Sequence, residues 1–146
     1  MNPTDKTAGS RTESLSFEYD LQHPPEKVWR ALTDPDLLAE WLLPVVGFDL
    51  RPGAEFTFKT QAYPGWDGTV SCRLVEIETH RKLRYTWSVP FLDTVVTFTL
   101  TPTGPGTRLS IEQSGFEPDQ KRELGGARYG WNMMGGKLVD LLARLS

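Results

Sequence analysis

The stretch Phe17-Glu18-Tyr19-Asp20-Leu21-Gln22-His23-Pro24-Pro25-Glu26-Lys27-Val28-Trp29-Arg30-Ala31-Leu32-Thr33-Asp34-Pro35-Asp36-Leu37-Leu38-Ala39-Glu40-Trp41-Leu42-Leu43 decides the fold. Leu15, Phe17, Tyr19 and Leu21 alternate with Ser16, Glu18 and Asp20, the period-two pattern of a half-buried strand. His23-Pro24-Pro25 stops the strand, and a proline at the first helical position is pre-organised for a helix without losing a hydrogen bond. Val28, Ala31 and Leu32 share one face of that helix. It must end by Asp34, because a residue before proline avoids helical angles. Asp34 is then placed to cap a second helix, with Pro35 at its start and Asp36 in its first turn. Leu37, Leu38, Trp41 and Leu42 form the second apolar stripe, and Pro44 closes it. Helices this short cannot hide their own apolar faces, so a larger curved sheet has to close over them.

Working outward, the pattern returns to strands. Phe48–Leu50 reads as a short strand and Arg51-Pro52-Gly53 as a turn, after which Ala54, Phe56 and Phe58 alternate with polar residues. A loop from Ala62 to Gly68, containing Trp66, has turn chemistry at both ends. In Thr69–Glu78 the apolar set changes parity between Val70, Cys72, Leu74 and Val75, Ile77, which marks a bulge. Leu83, Tyr85 and Trp87 form one face of the next strand; Val96, Phe98 and Leu100 follow. Thr103-Gly104-Pro105-Gly106 is a hairpin turn, leading to inward Leu109, Ile111 and Gln113. Near the end, Trp131, Met134, Leu138, Leu141, Leu142 and Leu145 step by three and four along a helix, with Asp140 and Arg144 as an i,i+4 pair on its other side. Pro118 to Leu124 reads as a separate short helix, broken at Gly125-Gly126. The order is strand, two short helices, about six antiparallel strands and a long helix, an α+β arrangement.

Bulk properties exclude several classes. The chain has 146 residues, 38% hydrophobic and 24% charged, suited to one soluble domain; a flexible polar arm is expected over 1–13 and the domain over 14–146. No apolar run approaches the roughly 18 to 20 residues of a membrane helix, so no membrane span is expected. The polar N-terminus lacks the apolar core of a signal peptide, which points to the cytoplasm. A net charge of −3 speaks against nucleic acid as a partner. Cys72 is the single cysteine, which leaves no internal disulfide, and it reads as a small buried apolar residue. His23 and His80 read as surface residues, and neither metal-ligand spacing nor a phosphate-binding glycine loop is present, so no metal or cofactor is expected.

The order of elements resembles the helix-grip fold of the START and birch-pollen-allergen (SRPBCC) superfamily. Within it, the chain is similar to the domain family named for the activator of the heat-shock-protein ATPase. The residues that carry this are Pro25-Glu26-Lys27-Val28-Trp29-Arg30-Ala31-Leu32-Thr33-Asp34-Pro35 and Trp41, then Pro52-Gly53-Ala54-Glu55-Phe56. Gly68, Val75-Glu76-Ile77, Leu83-Arg84-Tyr85-Thr86-Trp87, Gly106-Thr107-Arg108-Leu109, Ser114-Gly115-Phe116 and Gly130-Trp131 complete the set. The resemblance implies a strongly curved antiparallel sheet wrapped around a long C-terminal helix, with the two short helices plugging one end. The co-chaperone that gave the family its name carries a further N-terminal domain for much of its chaperone contact. Only a short arm precedes the first strand here, so chaperone activation is not expected, and an interaction protein related to co-chaperones stands as a third reading after a binding protein and an enzyme.

The leading candidate site is a cavity between the final helix and the sheet, lined by Phe56, Phe58, Tyr85, Trp87, Phe98, Gln113, Trp131 and Met134, with Trp66 at its mouth. Its expected occupant is a hydrophobic small molecule, a lipid or an aromatic metabolite. The alternative for each aromatic is that it fills a solid core. Gly130, Gly135 and Gly136 bear on the choice, since each glycine in a helix costs about 1 kcal/mol relative to alanine. Gly135 lies on the buried stripe, and the resemblance favours room for a guest there over close approach to the sheet. An acid-base enzyme of the cyclase or dehydratase type, which shares the superfamily's fold, would need a proton-transfer group in the cavity. Tyr85 and Gln113 are the inward polar positions, whereas Asp49, Glu76 and Glu112 fall on uncertain or outward parity. Trp29, off the Val28/Leu32 face, and Pro90-Phe91-Leu92 could mark a homodimer or partner contact.

Overall fold

In a computed structural model that describes residues 13–62 and 64–145, strand β1 (Glu13–Leu21) runs into helices α1 (Pro25–Thr33) and α2 (Pro35–Trp41). Pro24 is extended and precedes Pro25 at the first helical position. Asp34 does double duty: its backbone N–H donates to the Arg30 carbonyl to end α1, and its Oδ1 accepts from the Asp36 N–H at 2.9 Å to start α2. The two helices are locked by the buried Trp41 indole, whose Nε1 donates to the Ala31 carbonyl at 2.8 Å.

The other strands are β2 (Val45–Val46), β3 (Glu55–Lys59), β4 (Thr69–Glu78), β5 (Lys82–Val89), β6 (Leu92–Pro102) and β7 (Thr107–Phe116), and helix α3 (Lys121–Arg144) ends the described chain. They form one seven-stranded sheet in the order β1-β7-β6-β5-β4-β3-β2, antiparallel throughout. Its long-range closure is the pairing of β1 with β7, Phe17 facing Ile111 and Leu21 facing Thr107. Such pairings come late in chain order but bury Leu15, Leu21, Leu109 and Ile111 together with the inner faces of α1 and α2. This is the helix-grip fold: α3 packs against α1, α2, β1 and β7. Beyond its C-terminal end the Leu145 carbonyl accepts from Lys27 Nζ at 2.8 Å, which pins that end of α3 to α1.

Several local expectations are corrected. Residues 48–50 form no strand; the short edge strand is Val45–Val46, paired with Phe58 and Thr57. The β4 bulge lies between Leu74 and Glu76, and it turns Val75 outward (49% exposed) rather than inward, while Ile77 pairs with Leu83. Trp29 is buried at 6% exposure, with its ring edge-on to His80 at 6.1 Å, so it offers no partner surface. Gly125-Gly126 does not break the last helix, which runs unbroken for 24 residues from Lys121. Tertiary contacts at both ends of α3 outweigh the glycine cost. The expected arm over 1–13 lies outside the described residues except for Glu13, which pairs with Phe116 in β1. Among the described residues no helix is long and apolar enough to cross a membrane.

Candidate functional site

Continuing α3 upstream of Trp131 creates a face that sequence periodicity alone did not assemble. Arg122, Glu123, Gly126, Ala127, Gly130, Trp131 and Met134 are spaced by three and four residues, so they line one side of the helix. Opposite them stand Trp87 and Val89 near the end of β5, Leu92 at the start of β6, Gln113 on β7 and Trp66 from the loop before β4. Together these groups enclose a pocket of about 450 Å³, within the usual range for small-molecule sites. Exposed Gly126 and half-buried Gly130 form the α3 side of it: a Cβ on Gly126 would meet nothing within 4 Å, and one on Gly130 only the Met134 Cε at 3.7 Å. Phe91, in the turn between β5 and β6, is half exposed at the rim, and its carbonyl accepts from Gln120 Nε2 at 2.9 Å, tying that turn to the start of α3.

The indoles are positioned by specific bonds. Trp66 Nε1 donates to the Thr69 carbonyl at 3.0 Å, and Asp67 accepts from the Thr69 N–H at 3.0 Å, which folds the loop back on itself. Hydrogen bonding to Thr69 holds the Asp67 carboxyl below the usual carboxylate range. Trp131 Nε1 donates to Gln113 Oε1 at 2.7 Å, Gln113 Nε2 donates to Thr94 Oγ1 at 2.8 Å, and Thr94 Oγ1 donates to the Trp87 carbonyl at 2.8 Å. This buried relay crosses from α3 through β7 and β6 to β5. The relay fixes the Gln113 amide, since a flipped amide would set its NH2 against the Trp131 N–H. The Trp87 and Trp131 rings lie 5.9 Å apart at 50°.

Of the residues expected at the cavity, the pocket brings together Trp66, Trp87, Gln113, Trp131 and Met134. Phe56, Phe58, Tyr85 and Phe98 instead form a solid ring cluster behind it, with Tyr85 centred 5.2 Å from Phe56 and 5.8 Å from Phe98. Gly135 does not open onto the pocket. A Cβ there would collide with the Tyr19 hydroxyl and lie 2.6 Å from its Cζ, so this glycine admits the β1 tyrosine rather than a guest. Phe91, Arg122, Glu123, Gly126 and Gly130 were absent from the expected lining. For the four on α3 the signal that could have found them was the pair of i,i+4 rows 122, 126, 130 and 123, 127, 131, which continue the Trp131 stripe upstream; no such periodicity reaches Phe91.

The ionisable groups are distributed unevenly. Buried polar side chains among the described residues are Thr94, Thr97, Thr107 and Gln113. Tyr85 hydroxyl is sealed from solvent without a hydrogen-bond partner, and burial pushes its pKa well above the ordinary phenol value. Burial also pushes the Cys72 thiol up to about 12, which makes it inert. Glu76 is ion-paired with Lys82 and Arg84, Asp49 with Arg51, and Glu112 is exposed. On the pocket itself the charged residues are exposed Arg122 and half-buried Glu123. Among the described residues no three His, Cys, Asp or Glu side chains gather to hold a metal ion. A larger hollow, about 610 Å³, lies outside β3–β5. Its walls are mostly outward polar residues, including the Arg73–Glu55 ion pair at 2.8 Å, so the smaller apolar pocket is the better small-molecule site.

The family model for Activator of Hsp90 ATPase homolog 1-like protein matches residues 22–143. Among solved structures, protein MLL2253 from Mesorhizobium loti is 42% identical, with a TM-score of 0.85 over 92% of this chain and 99% of its own. CV1439 from Chromobacterium violaceum is 29% identical, with a TM-score of 0.74 over 88% of this chain and 96% of its own. CalU16 from Micromonospora echinospora is 26% identical, with a TM-score of 0.68 over 91% of this chain and 80% of its own. No curated protein matches the chain.

Proposed function

The chain belongs to the family of Activator of Hsp90 ATPase homolog 1-like proteins, and from that premise we propose that it is a non-catalytic binding protein for a hydrophobic small molecule. The site is the pocket between the N-terminal half of α3 and the β5–β6 end of the sheet. One observation carries the reading: three indoles wall a space whose α3 side is glycine. Gly126 and Gly130 forgo helix stability of about 1 kcal/mol each relative to alanine, yet no neighbouring group needs the room they leave. Every 100 Å² of apolar ligand surface removed from water there would contribute roughly 2.5 kcal/mol. Binding is favoured over acid-base catalysis because the polar group deep in the pocket, Gln113, is already committed to Trp131 and Thr94.

Filling that side tests this. The parent protein should enhance the fluorescence of N-phenyl-1-naphthylamine, and Gly130→Leu should leave the far-ultraviolet circular dichroism unchanged and abolish that enhancement. Equal enhancement in both proteins would remove the pocket as the site.

A further inference from the structure

The face of α3 turned away from the sheet carries a second pattern that the core does not use. Arg122, Gly126, Tyr129, Met133, Gly136 and Asp140 succeed one another at intervals of four, three, four, three and four residues. That is the spacing of a seam that faces another helix. With about 3.6 residues per turn, the stripe lies opposite the buried Trp131, Leu138 and Leu142. All six residues are exposed, Tyr129 at 71% and Met133 at 49%. Two large apolar side chains one turn apart thus stand in water. Gly136 sits inside a 24-residue helix, where glycine is the poorest helix former after proline. Yet a Cβ there would meet nothing within 4 Å, and Gly126, at the pocket rim, is equally open. Room kept on the outside of a helix serves something that approaches from outside. Among the described residues neither Arg122 nor Asp140 has an ion-pair partner; Arg144, one turn beyond Asp140, reaches Glu40 instead.

The stripe complements itself when read backwards. Turned end for end about the level of Trp131, Arg122 meets Asp140, Gly126 meets Gly136 and Tyr129 meets Met133. We propose that this face of α3 docks onto α3 of a second copy of the chain, antiparallel and about a two-fold axis. An isologous contact of that kind needs one patch that fits its own copy, and each pairing then occurs twice. The facing glycines let the two backbones approach closely. Close approach brings the Tyr129 ring against the partner's Met133, a favourable sulfur–aromatic contact. A parallel pairing would set Arg122 against Arg122 and Asp140 against Asp140, so charge selects the antiparallel one. From Arg122 to Asp140 the contact runs for about 27 Å. One helix pair of that length is smaller than a standard interface, so the dimer is weak, with a dissociation constant of roughly 10–100 μM.

Sedimentation velocity on the intact protein from about 5 to about 500 μM should show a monomer passing into a dimer. Arg122→Asp sets aspartate against Asp140 at both ends of the contact, and Asp140→Arg sets arginine against Arg122. Each single variant should associate about tenfold more weakly than the parent. In an equimolar mixture of the two, the mixed dimer has opposite charges at both ends again and should recover the parent's affinity, which damage to the fold could not produce. Gly136→Glu, whose side chain starts in open space, should abolish association with the circular dichroism unchanged. A chain that stays monomeric to about 500 μM would overturn the proposal and leave the stripe to a different protein. A dimer indifferent to Gly136→Glu and to both charge reversals would put the interface elsewhere. Failure of the mixed variants to associate, with the parent dimeric, would refute the antiparallel pairing.

Discussion

Replacing Gln113 by methionine isolates the polar relay from the apolar packing around it. Methionine keeps the reach of glutamine and stays flexible enough to fill the same volume, but it can neither accept from Trp131 nor donate to Thr94. In the structure those bonds are 2.7 and 2.8 Å, and both Gln113 and Trp131 are buried. Thr94 keeps its bond to the Trp87 carbonyl at 2.8 Å, so the serious loss is one indole N–H left without an acceptor. An orphaned buried donor costs about 1–3 kcal/mol, and the apolar gain of methionine offsets only a part. Gln113→Met should therefore lower the urea midpoint with an unchanged slope, by a free energy in that range. The companion variant Trp131→Phe removes the orphan donor itself. In the double variant neither partner is unpaired, so its loss should fall short of the sum of the single losses by about 1 kcal/mol or more. Unfolding followed by circular dichroism, which does not depend on the missing tryptophan, gives all four corners of the cycle. Additivity within about 0.5 kcal/mol, the usual result for independent sites, would mean that the relay contributes nothing as a unit.

Gly135 offers a change of sign. Gly135→Ala should destabilise the protein although alanine is the better helix former by about 1 kcal/mol, because the Tyr19 ring must move; in a Tyr19→Leu background the same substitution should stabilise, and a loss in both backgrounds would refute the contact. At alkaline pH, Cys72 and Tyr85 both act through raised pKa values. Their stabilising effect is complete below the unfolded values of 9.0 and 10.0 and is lost as pH rises, through about 12 for the thiol. Above the unfolded values the unfolded chain gives up protons that the folded chain retains, at about 1.4 kcal/mol per pH unit for each group. Tyr85→Phe should flatten the loss above pH 10 and, by deleting a hydroxyl without a partner, hold or raise the neutral-pH melting temperature; a clear drop at neutral pH would show that the hydroxyl has a partner after all.

What the sequence revealed depended on whether a signal was local. The Pro24-Pro25 and Asp34-Pro35 punctuation gave both short helices, because caps and pre-proline restrictions act within a few residues. Strand alternation and the parity change in β4 likewise report backbone geometry directly. The burial of Trp29 was not legible, since it depends on His80 crossing over it from the β4–β5 turn. Nor was the continuity of α3 through Gly125-Gly126, where local propensity argues for a break. Contacts distant in sequence, Lys121 Nζ to Glu13 at 3.2 Å and Gln120 to the Phe91 carbonyl, hold the first turn in place. At the site, residue types were readable and directions were not: inward aromatics on β3 to β6 look alike in sequence. Only the position of α3 separates Trp87, which borders open space, from Tyr85 and Phe98, which do not.

The opening stretch bears on function through the helix it anchors. α1 and α2 close one end of the sheet and seize the C-terminal half of α3: Lys27 holds the Leu145 carbonyl, Arg144 reaches Glu40 at 3.7 Å, and Tyr19 from β1 lies against Gly135. Leu138, Leu141 and Leu142 are buried beneath that half. The N-terminal half buries only Trp131, carries Gly125, Gly126 and Gly130, and is tied to the rest by the buried Trp131–Gln113 bond and by exposed polar bonds at its first turn. Free energies of local opening follow buried contact. The end of α3 that borders the pocket is therefore the less deeply buried one, while the plugged end keeps the helix in register. Gly135 and Gly130 illustrate the division: the same residue type, five positions apart in one helix, admits a tyrosine of the protein's own at the fixed end and leaves space at the open one.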